Sequence, residues 1–203
     1  MPEALFSEAF ALWGSPITWL EIVAVGVSLL MVWCNIREIH WGWPLAIVAS
    51  GLYGALFWRS RLYGETGLQV FFIVVACWGW WQWLRGSRGD GSTLRIEQLT
   101  SRGRWWAVGV TLLVWPLMAR FLDHATDTDV PWLDALTTTL SVVSQYLLGR
   151  KYLENWAGWF VVNVVSVVMF AIKGLWLTVG LYSLFIVLSV AGWRAWQGQV
   201  RQA

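Results

Sequence analysis

The chain has 203 residues, 58% of them hydrophobic and 13% charged, with a mean hydropathy of +0.56 and a formal net charge of +2. That leaves too little polar surface to cover a water-soluble globule, so the solvent is mostly lipid. The near-neutral charge offers no basic face to nucleic acid. Cys34 and Cys77, isolated in apolar runs without a CxxC or clustered histidine, read as reduced, buried thiols.

A helix crosses the hydrocarbon core in roughly 20 mostly apolar residues, because lipid offers no partner to a free backbone amide or carbonyl. The N-terminus, with Glu3 and Glu8 and no basic run, does not look like a cleaved signal peptide. Seven segments then qualify. The first covers 19–36, with Glu21 alone at its entrance, and the second, 41–58, is uncharged and ends at Arg59 and Arg61. The third covers 66–84. A polar connector, 85–104, contains Gly86, Gly89 and Gly91 and reads as a loop with at most a short helical turn. The fourth segment, 105–119, is shorter than the rest and has Pro116 close to its end. An acidic stretch with Asp123, Asp127, Asp129 and Asp134 leads to the fifth, sixth and seventh segments at 133–149, 155–172 and 174–196.

The third and seventh segments are related. Gly67 to Trp83 aligns without a gap to Gly180 to Trp196, with identities at Gly67/Gly180, Phe72/Phe185, Gly79/Gly192, Trp80/Trp193 and Trp83/Trp196 among others. A weaker echo pairs Trp41 with Trp156. Duplicated helices of this kind indicate internal repeats. Segments one to three and five to seven form the two units, with segment four as the inverting linker: an all-α membrane protein of seven helices in a 3+1+3 parallel arrangement. The divisions fall at 1–84 for the first unit, 85–131 for the connector, linker helix and outer loop, and 132–203 for the second.

Cytoplasmic loops carry the excess of Lys and Arg. Arg37, Arg85, Arg88, Arg95, Arg102, Arg104, Arg150, Lys151, Arg194 and Arg201 lie on one side, and only Arg59, Arg61, Arg120 and Lys173 on the other. The N-terminus is thus expected outside and the C-terminus in the cytoplasm.

Uncharged polar groups in hydrocarbon face a bundle interior, either to bond neighbouring helices or to read a solute. Thr138, Ser141 and Gln145 share one face of segment five, and Trp159, Asn163 and Ser166 one face of segment six. The amides of Gln145 and Asn163 combine donor and acceptor, which suits ribose hydroxyls or a carboxamide. Tyr53 and Tyr182, with Ser28, Ser50 and Ser183, are weaker candidates. Gln69, Trp80 and Trp193 are gate candidates. A shift of 115 residues, set by Trp41 and Trp156, places Gln145 opposite Leu30 and Asn163 opposite Val48, which concentrates polarity in the second half. Most of the nineteen tryptophans, including Trp43, Trp78, Trp81, Trp156 and Trp196 toward the cytoplasmic ends, read as interfacial belt or packing residues. Some could stack on a flat cationic ring.

No Lys, Arg, Asp or Glu lies deep in any segment. A phosphorylated solute calls for a cationic clamp, and proton coupling usually for a buried carboxylate, so the pattern favours an uncharged or weakly cationic solute moving passively. A retinal protein would need a lysine within segment seven, where none stands. No GxSxG, HExxH or Walker A motif and no metal-ligand cluster occurs, so neither enzyme nor cofactor is expected.

The run WGWPLAIVASGLYGALFWRSRLYGETGLQVFFIVVACWGWWQW from Trp41, RKYLENWAGWFVVNVVSVVMF from Arg150 and GLYSLFIVLSVAGWRAW from Gly180 resemble the PnuC family of bacterial vitamin transporters. The resemblance implies a SWEET-like fold and uptake of nicotinamide riboside by facilitated diffusion, with a cytoplasmic kinase trapping the solute. A homo-oligomer, guessed as a trimer, is a separate expectation. Relatives carrying thiamine or riboflavin, a sugar carrier, and a non-transporting receptor are the alternatives.

Overall fold

The computed structural model describes residues 7–12, 15–59, 63–87, 91–126, 130–172 and 176–201. Arg61, Arg88, Gly89, Asp127, Asp129 and Lys173 lie outside these residues. Two strands, β1 (Glu8–Leu12) and β2 (Ser15–Thr18), pair antiparallel ahead of seven helices. The helices are α1 (Trp19–Ile36), α2 (Gly42–Arg59), α3 (Tyr63–Arg85), α4 (Ser101–Ala125), α5 (Pro131–Gly149), α6 (Asn155–Ile172) and α7 (Trp176–Val200). The sequence reading did not anticipate the hairpin.

Glu21, the sole charge at the entrance of α1, is a capping residue. Its Oε2 accepts from the Thr18 amide at 2.7 Å, and Thr18 Oγ1 accepts from the Glu21 amide at 3.3 Å. α4 corrects an expectation: it runs for 25 residues rather than the 15 or so read from hydropathy, with Pro116 inside it. Thr100 caps its start by accepting from the Gly103 amide at 3.1 Å, which adds a polar first turn that apolar counting leaves out.

Among the described residues, five helical stretches are long and apolar enough to cross a membrane: Trp19–Ile36, Thr66–Arg85, Ser101–Ala125, Asn155–Ile172 and Thr178–Val200. α2 and α5 have 18 and 19 residues, about 27–29 Å at the helical rise, enough to span. Their composition is more polar. α2 carries Pro44 and ends on Arg59, whereas α5 carries Asp134, Thr137, Thr138, Thr139, Ser141, Ser144 and Gln145. Outward side chains elsewhere are large and apolar, with Trp105 75%, Leu113 66%, Val74 63% and Val187 62% exposed. In water such a surface would aggregate, so it marks a lipid-facing one.

The chain divides into two compact units, Met1–Leu84 and Arg85–Ala203. In the first, α1 packs along α2; in the second, α4 packs on α5, α5 on α6 and α6 on α7. Each contains the same turn. After α1, Glu38 adopts φ 54°, its amide donates to Asn35 O at 3.2 Å, and Ile39 donates to Cys34 O at 2.8 Å. After α5, Lys151 adopts φ 57°, its amide donates to Leu148 O at 3.0 Å, and Tyr152 donates to Leu147 O at 2.8 Å. Both are Schellman closures with a left-handed residue other than glycine, a conformation that costs about 1–2 kcal/mol.

These matched turns correct the register of the repeat. Glu38 answers to Lys151, so the shift is 113 residues, the same as from Gly67 to Gly180. The partner of Trp156 is therefore Trp43, not Trp41. Packing agrees. Trp43 meets Trp83 edge to face at 5.6 Å, and Trp156 meets Trp196 likewise at 5.6 Å. The Trp43 ring lies where a Cβ on Gly79 would stand, and the Trp156 ring comes within 2.5 Å of a Cβ built on Gly192. Trp43, Trp156 and Trp196 are 1%, 3% and 0% exposed, so these three are core rather than belt. Cys34 is buried as expected, but Cys77 is exposed.

Candidate functional site

Within the second unit, α6 and α7 run antiparallel with a regular stagger. Trp156 meets Trp196 near one end, and Phe170 meets Tyr182 at 5.0 Å near the other. Midway between, about two turns from the tryptophan pair, Asn163 Nδ2 donates to Ser189 Oγ at 3.2 Å, and Ser189 Oγ donates to Phe185 O at 2.8 Å. Asn163 and Ser189 are 6% and 3% exposed. An amide buried in an apolar bundle needs such a partner.

The other candidates lie on α5, α6 and α7 of this unit and on α2 and α3 of the first. Ser141 on α5 and Ser166 on α6 are buried, while Gln145 and Trp159 are half-buried, each about one turn from the α5–α6 turn. Ser144 is buried against Gly158, where a Cβ would strike its hydroxyl, and Ser144 Oγ and Thr139 Oγ1 have no hydrogen-bond partner among the described residues. Tyr182 sits in an aromatic group with Phe170 and Phe185, at 5.0 and 5.8 Å. Trp193 is half-buried one turn before Trp196. In the first unit, Tyr53 is half-buried on α2, Gln69 packs its Cβ within 3.4 Å of a Cβ built on Gly54, and the Trp80 indole nitrogen is buried without an acceptor among the described residues.

At the corrected shift, Gln145 answers to Val32 and Asn163 to Ser50. Ser141 answers to Ser28, Ser166 to Tyr53 and Tyr182 to Gln69. Polar positions therefore recur in both halves, overturning the view that polarity is concentrated in one. The amides remain unduplicated. Ser189, whose counterpart is Ala76, was missed by sequence reasoning. Its signal was there: a hydroxyl at a repeat position otherwise held by a small apolar residue.

Among the described residues no group of three or more His, Cys, Asp or Glu could hold a metal ion. Two shallow surface hollows lie along α4, one around Arg102, Trp105 and Trp106 and one around Ser101, Arg104 and Val108.

Tightly paired helices with lipid-facing exteriors and an uncharged polar interior define a multi-pass membrane transporter. Residues 18–198 match the family model described as nicotinamide mononucleotide transporter, and the chain belongs to that family. It is 28% identical over 213 residues to the nicotinamide riboside transporter PnuC of Escherichia coli (strain K12), covering 93% of this chain and 89% of that protein. To the riboflavin/roseoflavin transporter RibM of Streptomyces davaonensis it is 29% identical over 198 residues, covering 95% and 91%. A crystal structure of the vitamin B3 transporter PnuC shares its fold, with TM-score 0.74, 23% identity and coverage of 91% of this chain and 83% of that one.

Proposed function

We propose that the protein imports nicotinamide riboside by facilitated diffusion, without enzymatic activity, around a midplane site read by Gln145, Asn163, Trp159, Ser141 and Ser166, with Tyr53 and Tyr182 contributing. The observation that carries this reading is a buried, uncharged amide and hydroxyl set on helices that contain no deep Lys or Arg. A phosphate would leave its charge uncompensated there, so the riboside is favoured over the mononucleotide of the family's name. The pyridinium ring suits indole faces, and the carboxamide and hydroxyls suit the amides.

The two units act as a 3+1+3 pair, divided at 1–84, 85–131 and 132–203, that rocks to alternate access, with Gln69, Trp80 and Trp193 as gates. The N-terminus lies outside the bacterial inner membrane and the C-terminus within. Surrounding lipid holds a homo-oligomer, taken as a trimer, and a cytoplasmic riboside kinase traps the solute. Uptake of labelled nicotinamide riboside into proteoliposomes is expected to saturate and to persist after ion gradients are collapsed. Absence of saturable uptake would overturn the reading.

Riboflavin is the second solute, favoured by the similarity to RibM across 95% of the chain. Competition decides: excess riboflavin leaves riboside uptake unchanged if the first reading holds and abolishes it if the second does.

A further inference from the structure

Asn163 and Ser189 form a directed chain. A serine hydroxyl has one hydrogen, and that of Ser189 is committed to Phe185 O at 2.8 Å, an intrahelical acceptor one turn back on α7. Toward Asn163, Ser189 Oγ has only lone pairs to offer. The amide atom facing it at 3.2 Å is therefore the nitrogen, by chemistry rather than by choice of flip. Asn163 Oδ1 is consequently the amide atom left outside the bond to Ser189, and it accepts no hydrogen bond among the described residues. Both side chains are more than nine-tenths buried, so this polarity is held inside the bundle and is not averaged by water.

We propose that Ser189 is a positioning residue for recognition: it locks the Asn163 amide so that a carbonyl acceptor faces the solute, selecting a carboxamide N–H over a carboxylate at the same place. A ribose hydroxyl adapts to either polarity, so a fixed acceptor would confer nothing against it. A carboxamide and a carboxylate differ in whether they can donate at all, and there a fixed acceptor discriminates. The first unit cannot do this, because Ser50 and Ala76 occupy the corresponding positions. The inference rests on Asn163 being a solute reader.

The test is equilibrium binding of nicotinamide riboside and nicotinic acid riboside to the purified full chain, followed by tryptophan fluorescence. Asn163→Ala is expected to weaken the amide riboside about tenfold. Ser189→Ala frees the amide to turn its nitrogen toward the solute, so the preference for amide over acid should fall about three- to tenfold. Ser189→Cys, which keeps the volume but bonds weakly, should do the same should the alanine variant fold poorly. Ser189→Thr, which keeps the hydroxyl, should restore the preference. Unchanged preference in the alanine and cysteine variants, with Asn163→Ala still weakened, would overturn the role of Ser189 alone. Equal loss in the threonine variant would reduce Ser189 to packing and also overturn it. Wild-type affinity in Asn163→Ala would overturn the site reading beneath it.

Discussion

Gly79 and Gly192 show how a single missing side chain fixes a helix interface. Each leaves the space into which a buried tryptophan ring, Trp43 or Trp156, inserts. A methyl group at either position must displace an indole that is itself pinned edge to face on Trp83 or Trp196. Gly79→Ala and Gly192→Ala are thus expected to cost about 1–3 kcal/mol each, read as a lower unfolding temperature in detergent. Gly67→Ala and Gly180→Ala, with open space at the Cβ, should leave it unchanged or raise it. A loss as large at Gly67 or Gly180 would show that the tryptophan slots are not the cause. At the proposed site, Gln145→Ala is expected to weaken riboside binding about tenfold. Unchanged affinity would remove Gln145 from the site.

Among elements, the stretch 94–100 before α4 is more than a free loop, because it docks on the turn between α5 and α6. Glu97 donates its amide to Lys151 O at 3.1 Å and accepts from the Leu153 amide at 2.9 Å, like a strand added to an edge. Leu94 and Ile96 are buried beside it. Glu154 closes the arrangement. Its Oε2 accepts from the Leu99 amide at 3.0 Å, and its Oε1 pairs with Arg104 Nε at 2.9 Å. Since Arg104 is half exposed, the ion pair contributes little and the amide bond more. Glu154→Ala should therefore speed exchange of the Leu99 amide hydrogen about tenfold, whereas Glu154→Gln, which retains an acceptor, should change it far less. Equal acceleration in both would assign the effect to the charge instead.

At the scale of the whole molecule, the imbalance of Lys and Arg between the two sides makes orientation testable. With Cys34 and Cys77 replaced, Thr126→Cys should react with an impermeant maleimide added to intact cells, and Ser92→Cys only after permeabilisation. The reverse pattern would invert the topology. Much of the architecture was legible in the chain. The bounds of α1 and α6 follow directly from hydrophobic runs, and the gapless match of Gly67–Trp83 to Gly180–Trp196 exposed the repeat. Legibility failed where polar groups are satisfied by structure rather than by water. The capped first turn of α4, the hairpin before α1 and the docked connector all place hydrogen-bonding residues where counting apolar ones sees only loop. Of the candidate site, Asn163 could be picked out because an amide deep in an apolar helix is costly, whereas Ser189 left only the weak signal of a hydroxyl opposite Ala76 in the repeat, because a lone serine is cheap and common.

Composition and hydrophobic runs by themselves determined a membrane protein with seven helices, since backbone groups in lipid must be satisfied within each helix. They also determined an interior without deep charge, since that depends only on which residues are present. Only the tertiary structure decided that the 113-residue shift of the last helix in each unit extends to the earlier ones, because tryptophans two residues apart look alike until one of them fills a glycine slot. It alone also decided which atom of Asn163 bonds to Ser189, because that follows from a hydrogen already given by Ser189 to its own helix.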